Sequence, residues 1–220
     1  MIKQISLDHS GGFYLYKLHN RKLKQLCKAY PGLTSYLNDV FTKCPNEYFQ
    51  AGPRSSKLKF KLNGLIHQIV GHEVSDMALN GLRINNDNYK TNHSKVQLFM
   101  LENDDKTIAM EIPIWIEPDE LGSIKNVVDN KLPLTGHIDI LRLEEGKIWI
   151  WDYKPNAYNE KYAATQVYFY ALMLSKRSGI ALDNFRCGYF DSFYAYIFKP
   201  EDCKIDVNLF NKFYITSYYI

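Results

Sequence analysis

Two aspartates and a lysine in the C-terminal half of this sequence have the types and spacing of a metal-binding catalytic group. Asp139 lies in an apolar segment from Leu132 to Leu143, and Asp152 and Lys154 follow the run KIWIW after the turn Glu144-Glu145-Gly146. Both segments have the composition of β-strands, so a hairpin is predicted that brings the three charged side chains together. Buried carboxylates are costly without a partner, which a divalent cation supplies. Oxygen ligands suit Mg²⁺ or Mn²⁺, and the lysine could orient a water molecule there.

A helix is predicted directly after this hairpin, from Tyr162 to Arg177. Gln166 and Tyr170 are four residues apart and therefore share one face of that helix. We expect the helix to pack beside the strand that carries Asp152 and to present both side chains to the charged group.

Taken in order, these residues resemble the D…(D/E)xK…QxxxY pattern of the PD-(D/E)XK nucleases, in particular the RecB-like and Cas4-like branch. Asp139 matches its first aspartate, Asp152-Tyr153-Lys154 its second motif, and Gln166 and Tyr170 its third. The sequence GHID is also similar to the Gly-x-x-Asp strand of that branch, and the resemblance covers roughly residues 57–200. It implies an α/β fold of the restriction-endonuclease-like type, in which helices flank a mixed central sheet.

The resemblance also implies a function and roles for individual residues. Relatives hydrolyse phosphodiester bonds in DNA with Mg²⁺ or Mn²⁺, so the metal ligands would be Asp139, Asp152, the carbonyl of Tyr153, and His67. Lys154 would orient the attacking water. Gln166 and Tyr170 would position the nucleic-acid strand.

His67 is the ligand taken from the sequence NGLIHQIVGHE, which resembles the Gly-x-x-His helix of the family. The apolar spacing predicts one long helix from Lys57 to Asn80, and glycines at helical spacing on either side of His67 would let a sheet edge approach. A hydrogen-bonded core histidine is the alternative for this position. His72 is the next candidate ligand, and the roles of His72 and His137 stay open.

Upstream of the hairpin, Val96 to Glu102 and Thr107 to Ile116 are predicted as paired strands. Glu111 is the one charged residue inside the second of these strands. Relatives often carry a glutamate there; a residue that faces solvent is the alternative, a direct catalytic role is the less favoured interpretation, and the role of Glu111 stays open. We expect residues 1–51 to form an N-terminal helical subdomain or cap, and residues 52–220 to form the nuclease core with a C-terminal capping element.

Composition is compatible with a nucleic-acid partner. The net charge is +3 and the pI is about 8.5, which permits binding to DNA without demanding it. The sequence contains no apolar run long enough for a membrane span, and its N-terminus lacks the apolar core of a signal peptide. A cytoplasmic protein is therefore predicted.

The cysteines bear on a possible iron–sulfur cluster. Some relatives hold such a cluster with one early cysteine and three late ones, whereas this sequence has two early and two late, namely Cys27, Cys44, Cys187 and Cys203. Four reduced thiols without a cluster are predicted.

The favoured function is a metal-dependent deoxyribonuclease, an exonuclease of the RecB or Cas4 type acting in DNA repair, recombination or mobile-element biology. A catalytically silent nucleic-acid-binding or assembly module on the same fold is one alternative, although the intact set of Asp139, Asp152 and Lys154 argues against it. A nuclease acting on RNA is another. The sequence does not decide between exonuclease and endonuclease, strand preference, cleavage polarity or oligomeric state.

Overall fold

A single mixed sheet forms the centre of the fold. The structure, a computed structural model, describes residues 1–122 and 131–205. Within these ranges the strands are β1 (Ile2–His9), β2 (Gly12–His19), β3 (His67–Val70), β4 (Thr107–Ile116), β5 (Leu134–Glu144), β6 (Lys147–Tyr153), β7 (Phe185–Phe190) and β8 (Tyr194–Phe198). Their order across the sheet is β1-β2-β4-β5-β6-β7-β8-β3. Only β6 and β7 run parallel among these neighbours; the other pairs are antiparallel.

Helices cover both faces of the sheet. They are α1 (Asn20–Leu26), α2 (Pro31–Lys43), α3 (Asn46–Ala51), α4 (Glu73–Ile84), α5 (Asn92–Asn103) and α6 (Ala163–Ser178). The larger core packs α2 and α6 against one face, and a second core packs α4 and α5 against the other. The α6 helix is the crossover between the parallel strands β6 and β7. This arrangement confirms the predicted mixed sheet of the restriction-endonuclease-like type.

The predicted hairpin is the β5–β6 pair. Glu145 and Gly146 form its two-residue turn and have positive φ angles of 49° and 70°, which matches the twist of the flanking strands. Successive side chains of β6 point to opposite faces, so Ile150 belongs to the core with α6 and Trp151 to the core with α4 and α5. The predicted helix after this hairpin is also confirmed, and it ends at Gly179 in a left-handed conformation.

The long helix predicted from Lys57 to Asn80 is wrong. Residues 58–66 form an irregular segment, His67–Val70 is the edge strand β3, and a helix begins only at Glu73. The two glycines have other functions than the one expected. A Cβ at Gly64 would lie 2.7 Å from Sγ of Cys203, so Gly64 permits close approach of the chain there, and Gly71 has a φ of 69° in the turn before α4.

The strand predicted from Val96 to Glu102 is also wrong, because this stretch lies in α5. Thr91 caps the helix, since its side chain accepts a hydrogen bond from the backbone N–H of Ser94. The side chains from Val96 to Leu101 are apolar or buried on almost every side of the helix, with five of the six buried. Such burial leaves neither a helical nor a strand periodicity to detect.

The N-terminal residues begin with strands and not with a helix. The β1–β2 hairpin joins the central sheet through Lys17 and Leu18 of β2, which pair with Met110 and Ala109 of β4. Helices α1 to α3 follow. The division into a cap of residues 1–51 and a core of residues 52–220 stays a prediction.

Part of the predicted C-terminal capping element lies outside the described residues. Pro200–Asp202 forms a short 3₁₀ turn, and residues 206–220 are not described. None of the helices in residues 1–122 and 131–205 combines the length and the apolar character that crossing a membrane requires.

All four cysteines are free thiols. Burial raises the pKa of Cys27 and of Cys44 to about 12. The predicted absence of an iron–sulfur cluster stays a prediction.

Candidate active site

Asp139 and Asp152 meet where strands β5 and β6 separate. The pairing of these strands ends at Ile140 and Trp151, the residue after Asp139 and the residue before Asp152. Beyond this point the backbone N–H of Tyr153 donates to Oδ2 of Asp139 over 2.9 Å and not to a strand partner. Both aspartates are buried, Asp152 to 1% exposure. The hairpin therefore places two buried carboxylates at the point where β5 and β6 stop pairing.

Lys154 and Gln166 contact Asp152 from two sides. Nζ of Lys154 lies 2.6 Å from Oδ2 of Asp152, and it also donates to Oε1 of Gln166 over 3.1 Å. Nε2 of Gln166 donates to Oδ1 of Asp152 over 3.1 Å and to the hydroxyl of Tyr170 over 2.6 Å. The structure thus brings together five of the predicted site residues: Asp139, Asp152, Lys154, Gln166 and Tyr170. Their catalytic roles remain predictions.

Gly136 explains how Tyr170 reaches this group. A Cβ at Gly136 would lie 2.4 Å from a carbon of the Tyr170 ring and 2.8 Å from Oγ of Ser55. Only a residue without a side chain lets the ring rest on strand β5 at this point. Gly136, the glycine of the GHID sequence, is therefore needed for α6 to pack against β5.

Glu111 is a third carboxylate of the site. Pairing of Met110 with Ile140 and of Ile112 with Ile138 places it opposite Asp139 on the neighbouring strand β4. Its φ of 53° is left-handed, a conformation that costs a non-glycine residue about 1–3 kcal/mol and that concentrates at functional sites. The alternative that Glu111 faces solvent is wrong, because its side chain is directed into the protein toward Gln97.

Helix α5 contributes two polar residues that the sequence interpretation missed. Gln97 donates to Oε1 of Glu111 over 2.7 Å, and Nε2 of His93 lies 3.7 Å from Oδ2 of Asp139. His93 and Gln97 are four residues apart, so they share a helix face. The signal that could have found them is the sequence TNHSKVQ, in which a Thr cap is followed by two polar side chains, His93 and Gln97, at helical spacing. Assigning Val96 to Glu102 to a strand hid it.

The electrostatics of the site call for a cation. Burial, followed by the charges of Asp152 and Glu111, raises the pKa of Asp139 well above its ordinary value. Burial and Asp152 raise the pKa of Glu111 to about 7, despite the hydrogen bond from Gln97. Burial alone would lower the pKa of Lys154, but the neighbouring carboxylates Asp152 and Asp139 raise it, so this ammonium stays charged. One ammonium faces three carboxylates.

A hard divalent cation fits this set of donors. Carboxylate oxygens are the ligands preferred by Mg²⁺, and Mn²⁺ additionally accepts an imidazole such as that of His93. In the described ranges, no three His, Cys, Asp or Glu side chains are yet arranged around one point as metal ligands. The charge next to Oδ2 of Asp152 is instead the ammonium of Lys154. Residues that would hold the ion are Glu111, Asp139, Asp152 and His93.

The structure does not bring His67, the predicted metal ligand, to the carboxylate cluster. His67 lies on β3 and pairs with Ile197 of β8, and its side chain borders a surface groove beside Trp149. Three strand spacings of about 4.8 Å separate β3 from β6, which amounts to about 14 Å. The histidine that lies beside Asp139 is His93. The carbonyl of Tyr153 as a ligand stays a prediction.

The two histidines whose roles were open are structural. His72 caps α4 by accepting from the backbone N–H of Val74. His137 accepts from Arg54 over 3.1 Å, because a guanidinium can only donate, and its other nitrogen then donates to His9 over 2.8 Å. His9 in turn donates to Oδ1 of Asn46. These hydrogen bonds connect the N-terminal hairpin and α3 to β5, the strand that carries Asp139.

Comparison with protein families gives one match. The model of the PD-(D/E)XK nuclease superfamily matches residues 64–202, which is more than half of the chain. The matched range includes all of the site residues described above. Comparisons with curated proteins and with solved structures gave no match.

Proposed function

Because this chain belongs to the PD-(D/E)XK nuclease superfamily, we propose that it hydrolyses phosphodiester bonds in DNA and that it requires Mg²⁺ or Mn²⁺. The observation that carries the proposal is the cluster of Glu111, Asp139 and Asp152 around one charged lysine at the split between β5 and β6. A nuclease of this superfamily implies a nucleic-acid substrate. DNA as the substrate and the choice of metal are the proposed parts.

The three carboxylates and His93 would hold the metal. When bound, the ion supplies charge neutralisation for the scissile phosphate and lowers the pKa of the attacking water. Asp139 needs no rearrangement of its backbone contact for this role, because the N–H of Tyr153 occupies only one of its lone pairs. Asp152 likewise has lone pairs beyond those that accept from Lys154 and Gln166, so it could hold the ion as well.

Lys154 orients the water and cannot act as a general base. Neighbouring carboxylates raise its pKa, so at neutral pH the ammonium carries its full set of protons and can only donate. A donor directed at the attacking oxygen fixes the lone pair that attacks phosphorus and stabilises the negative charge that develops. Gln166 holds this ammonium in place through its Oε1.

We assign the protein to the exonuclease type seen in RecB-like and Cas4-like relatives. The support is the QxxxY spacing, which places Gln166 and Tyr170 in one hydrogen-bonded group with Asp152. These two side chains would position the strand end beside the metal. Action in DNA repair, recombination or mobile-element biology is part of the same proposal.

Cleavage of a panel of end-labelled substrates tests the proposal. Linear and circular DNA, single- and double-stranded, and RNA of the same sequence are incubated with Mn²⁺, Mg²⁺ or EDTA. We expect linear DNA to be degraded with either metal, circular DNA to persist, and EDTA to stop the reaction. Cleavage of circular DNA would identify an endonuclease, and cleavage of RNA alone would identify a ribonuclease. Binding without cleavage under every condition would identify a silent binding module.

A further inference from the structure

A row of three exposed lysines runs along the segment that precedes β3. Lys57, Lys59 and Lys61 alternate with Leu58, Phe60 and Leu62, which pack against the larger core. The inward packing of the apolar residues directs the three ammonium groups to the outside. Cα atoms two residues apart are separated by at most about 7 Å in any chain, so neighbouring lysines of this row lie close together. We call these three residues the lysine ridge.

The ridge is fastened to the helix that carries Gln166 and Tyr170. Oγ1 of Thr165 donates to the carbonyl of Phe60, and the Phe60 ring meets that of Phe169 edge to face at 6.0 Å. Both partners lie on α6. Further along, the backbones of Asn63 and Lys204 exchange two hydrogen bonds. The ridge therefore has a fixed path, although it belongs to no regular element.

The ridge begins beside the candidate active site. Lys57 ends a short 3₁₀ turn, Ser55–Lys57, that contacts both β5 and α6. Ser55 in that turn adjoins Gly136, on which the ring of Tyr170 rests. Nζ of Lys59 lies 5.3 Å above the ring of Tyr162, the residue just before α6 and one helical turn before Gln166. The lysine ridge therefore runs outward from the carboxylate cluster along the first half of α6.

No carboxylate neutralises the ridge in the described part of the chain. Some surface cations there do have acidic partners within 4 Å, such as Lys43 with Asp39 and Arg186 with Glu201. The three lysines form no ion pair of this kind with any described residue. Three like charges held in a row repel one another, and a polyanion whose charges repeat at a similar spacing relieves that repulsion.

We infer that the lysine ridge binds the phosphate backbone of the nucleic-acid strand that enters or leaves the site. The inference rests on the proposed nuclease function and adds to it a location for the strand. Contacts of this kind position the substrate without reading its sequence. Each lysine would pair with one phosphate, while the strand end reaches Gln166 and Tyr170.

Salt-dependent binding tests the inference separately from cleavage. Fluorescence anisotropy measures the affinity of labelled single-stranded DNA for Asp139→Asn protein in EDTA, with and without Lys57→Gln, Lys59→Gln and Lys61→Gln. Each lost phosphate contact on a single strand reduces the slope of log K against log salt by about 0.7, so the triple change should reduce it by about 2. Affinity at low salt should fall in parallel.

A matched triple variant controls for net charge. Lys24→Gln, Lys28→Gln and Lys176→Gln remove the same charge from exposed positions remote from the site. Lys28 adjoins Tyr30, whose hydroxyl bonds to Gly146 at the opposite end of β6 from Asp152, and Lys176 lies in the last turn of α6. We expect this variant to keep most of the slope.

If the two triple variants lost the same amount of the slope of log K against log salt, the inference would be contradicted, since net charge alone would then explain binding. Unchanged binding by the ridge variant, while wild type still cleaves DNA, would overturn the ridge but leave the nuclease function intact. Ridge-dependent binding by a wild-type protein that cleaves nothing would support the ridge and overturn the nuclease function.

Discussion

Gln166 connects the charged groups of the site because its amide both donates and accepts. Its oxygen accepts from Lys154, and its two N–H groups donate to Asp152 and to the Tyr170 hydroxyl. A glutamate of the same shape could accept from Lys154 but would have no proton for Asp152. The amide therefore holds an ammonium and a carboxylate in fixed positions without adding charge.

Glu111 should give the metal-free protein a pH-dependent stability. Its pKa rises from 4.5 to about 7 on folding, so between these values the folded state holds a proton that the unfolded state has lost. The free energy of unfolding must then fall as pH increases through this window. We expect Glu111→Gln to raise stability at about pH 8 and to change it much less at about pH 4.5, where the carboxyl is protonated in the folded state.

Urea unfolding in EDTA at the two pH values measures this difference. Because the Glu111 charge also raises the pKa of Asp139, the difference between variant and wild type contains the titration of Glu111 and its coupling to Asp139. An equal effect of the substitution at both pH values would show that Glu111 does not carry a raised pKa.

Individual elements differ in how far the sequence could predict them. The β5–β6 hairpin and α6 follow from local signals, namely a Glu-Gly turn and an extended helical pattern ended by Gly179. Helix α5 gave no such signal, because burial on several sides removes periodicity. The apolar residues from Lys57 to Val70 also fit helical spacing, but this stretch folds as an irregular segment followed by the edge strand β3. Only tertiary contacts, such as that of Gly64 with Cys203, decide between the two structures.

The site shows the same division. Asp139, Asp152, Lys154, Gln166 and Tyr170 come from the two predicted elements, and the structure brings them together. His93 and Gln97 come from α5, and so they were missed. A histidine chosen by local resemblance, His67, lies on the wrong element, since sequence spacing does not say which helix covers the sheet.

Separate replacement of His93 on α5 and of His67 on β3 tests which of the two elements supplies a metal ligand. His93→Ala should weaken Mn²⁺ binding, because the ring lies 3.7 Å from Asp139 and imidazole is a ligand that Mn²⁺ accepts. His67→Ala should leave Mn²⁺ binding unchanged. Calorimetric titration of Mn²⁺ into both variants and wild type measures this. Weaker binding by the His67 variant alone would contradict the assignment.

The contact of β5 with α6 depends on Gly136. Gly136→Ala places a methyl group 2.4 Å from the Tyr170 ring and should destabilise the protein by about 1–3 kcal/mol, as overpacking of a core does. On a Tyr170→Ala background only the 2.8 Å approach to Oγ of Ser55 remains, so the same change should cost less. Unfolding free energies of the four proteins in this double-mutant cycle give the coupling. A coupling near zero would show that the ring is not what excludes a side chain here.

Across the whole molecule, Arg142 joins the helical layer that carries His93 to the sheet. Its guanidinium is fully buried on β5 and pairs with Asp104 before β4 and with Glu73 at the start of α4, at 2.7 and 2.6 Å. Asp104 is 3% exposed. Removing one partner of a buried ion pair leaves the other charge without compensation.

Arg142→Met should therefore destabilise the protein by about 3–5 kcal/mol. Lys43→Met removes an exposed cation from its pair with Asp39 and should cost at most about 1 kcal/mol. Urea unfolding of both variants provides the comparison. Similar small losses in both would mean that the Arg142 network does not hold the layers together.

Cleavage of end-labelled linear DNA with Mn²⁺ by wild type and Asp139→Asn tests the proposed nuclease site most directly. Asparagine can still accept the hydrogen bond from the N–H of Tyr153 and removes a like charge from the cluster, so the variant should fold and keep its thermal stability in EDTA. Asp105→Asn makes the same chemical change on an exposed turn and serves as the control. Losing a metal ligand removes several kcal/mol of transition-state stabilisation, so we expect a rate at least about 100-fold below wild type for Asp139→Asn. Wild-type cleavage by a folded Asp139→Asn protein would contradict the assignment of this site.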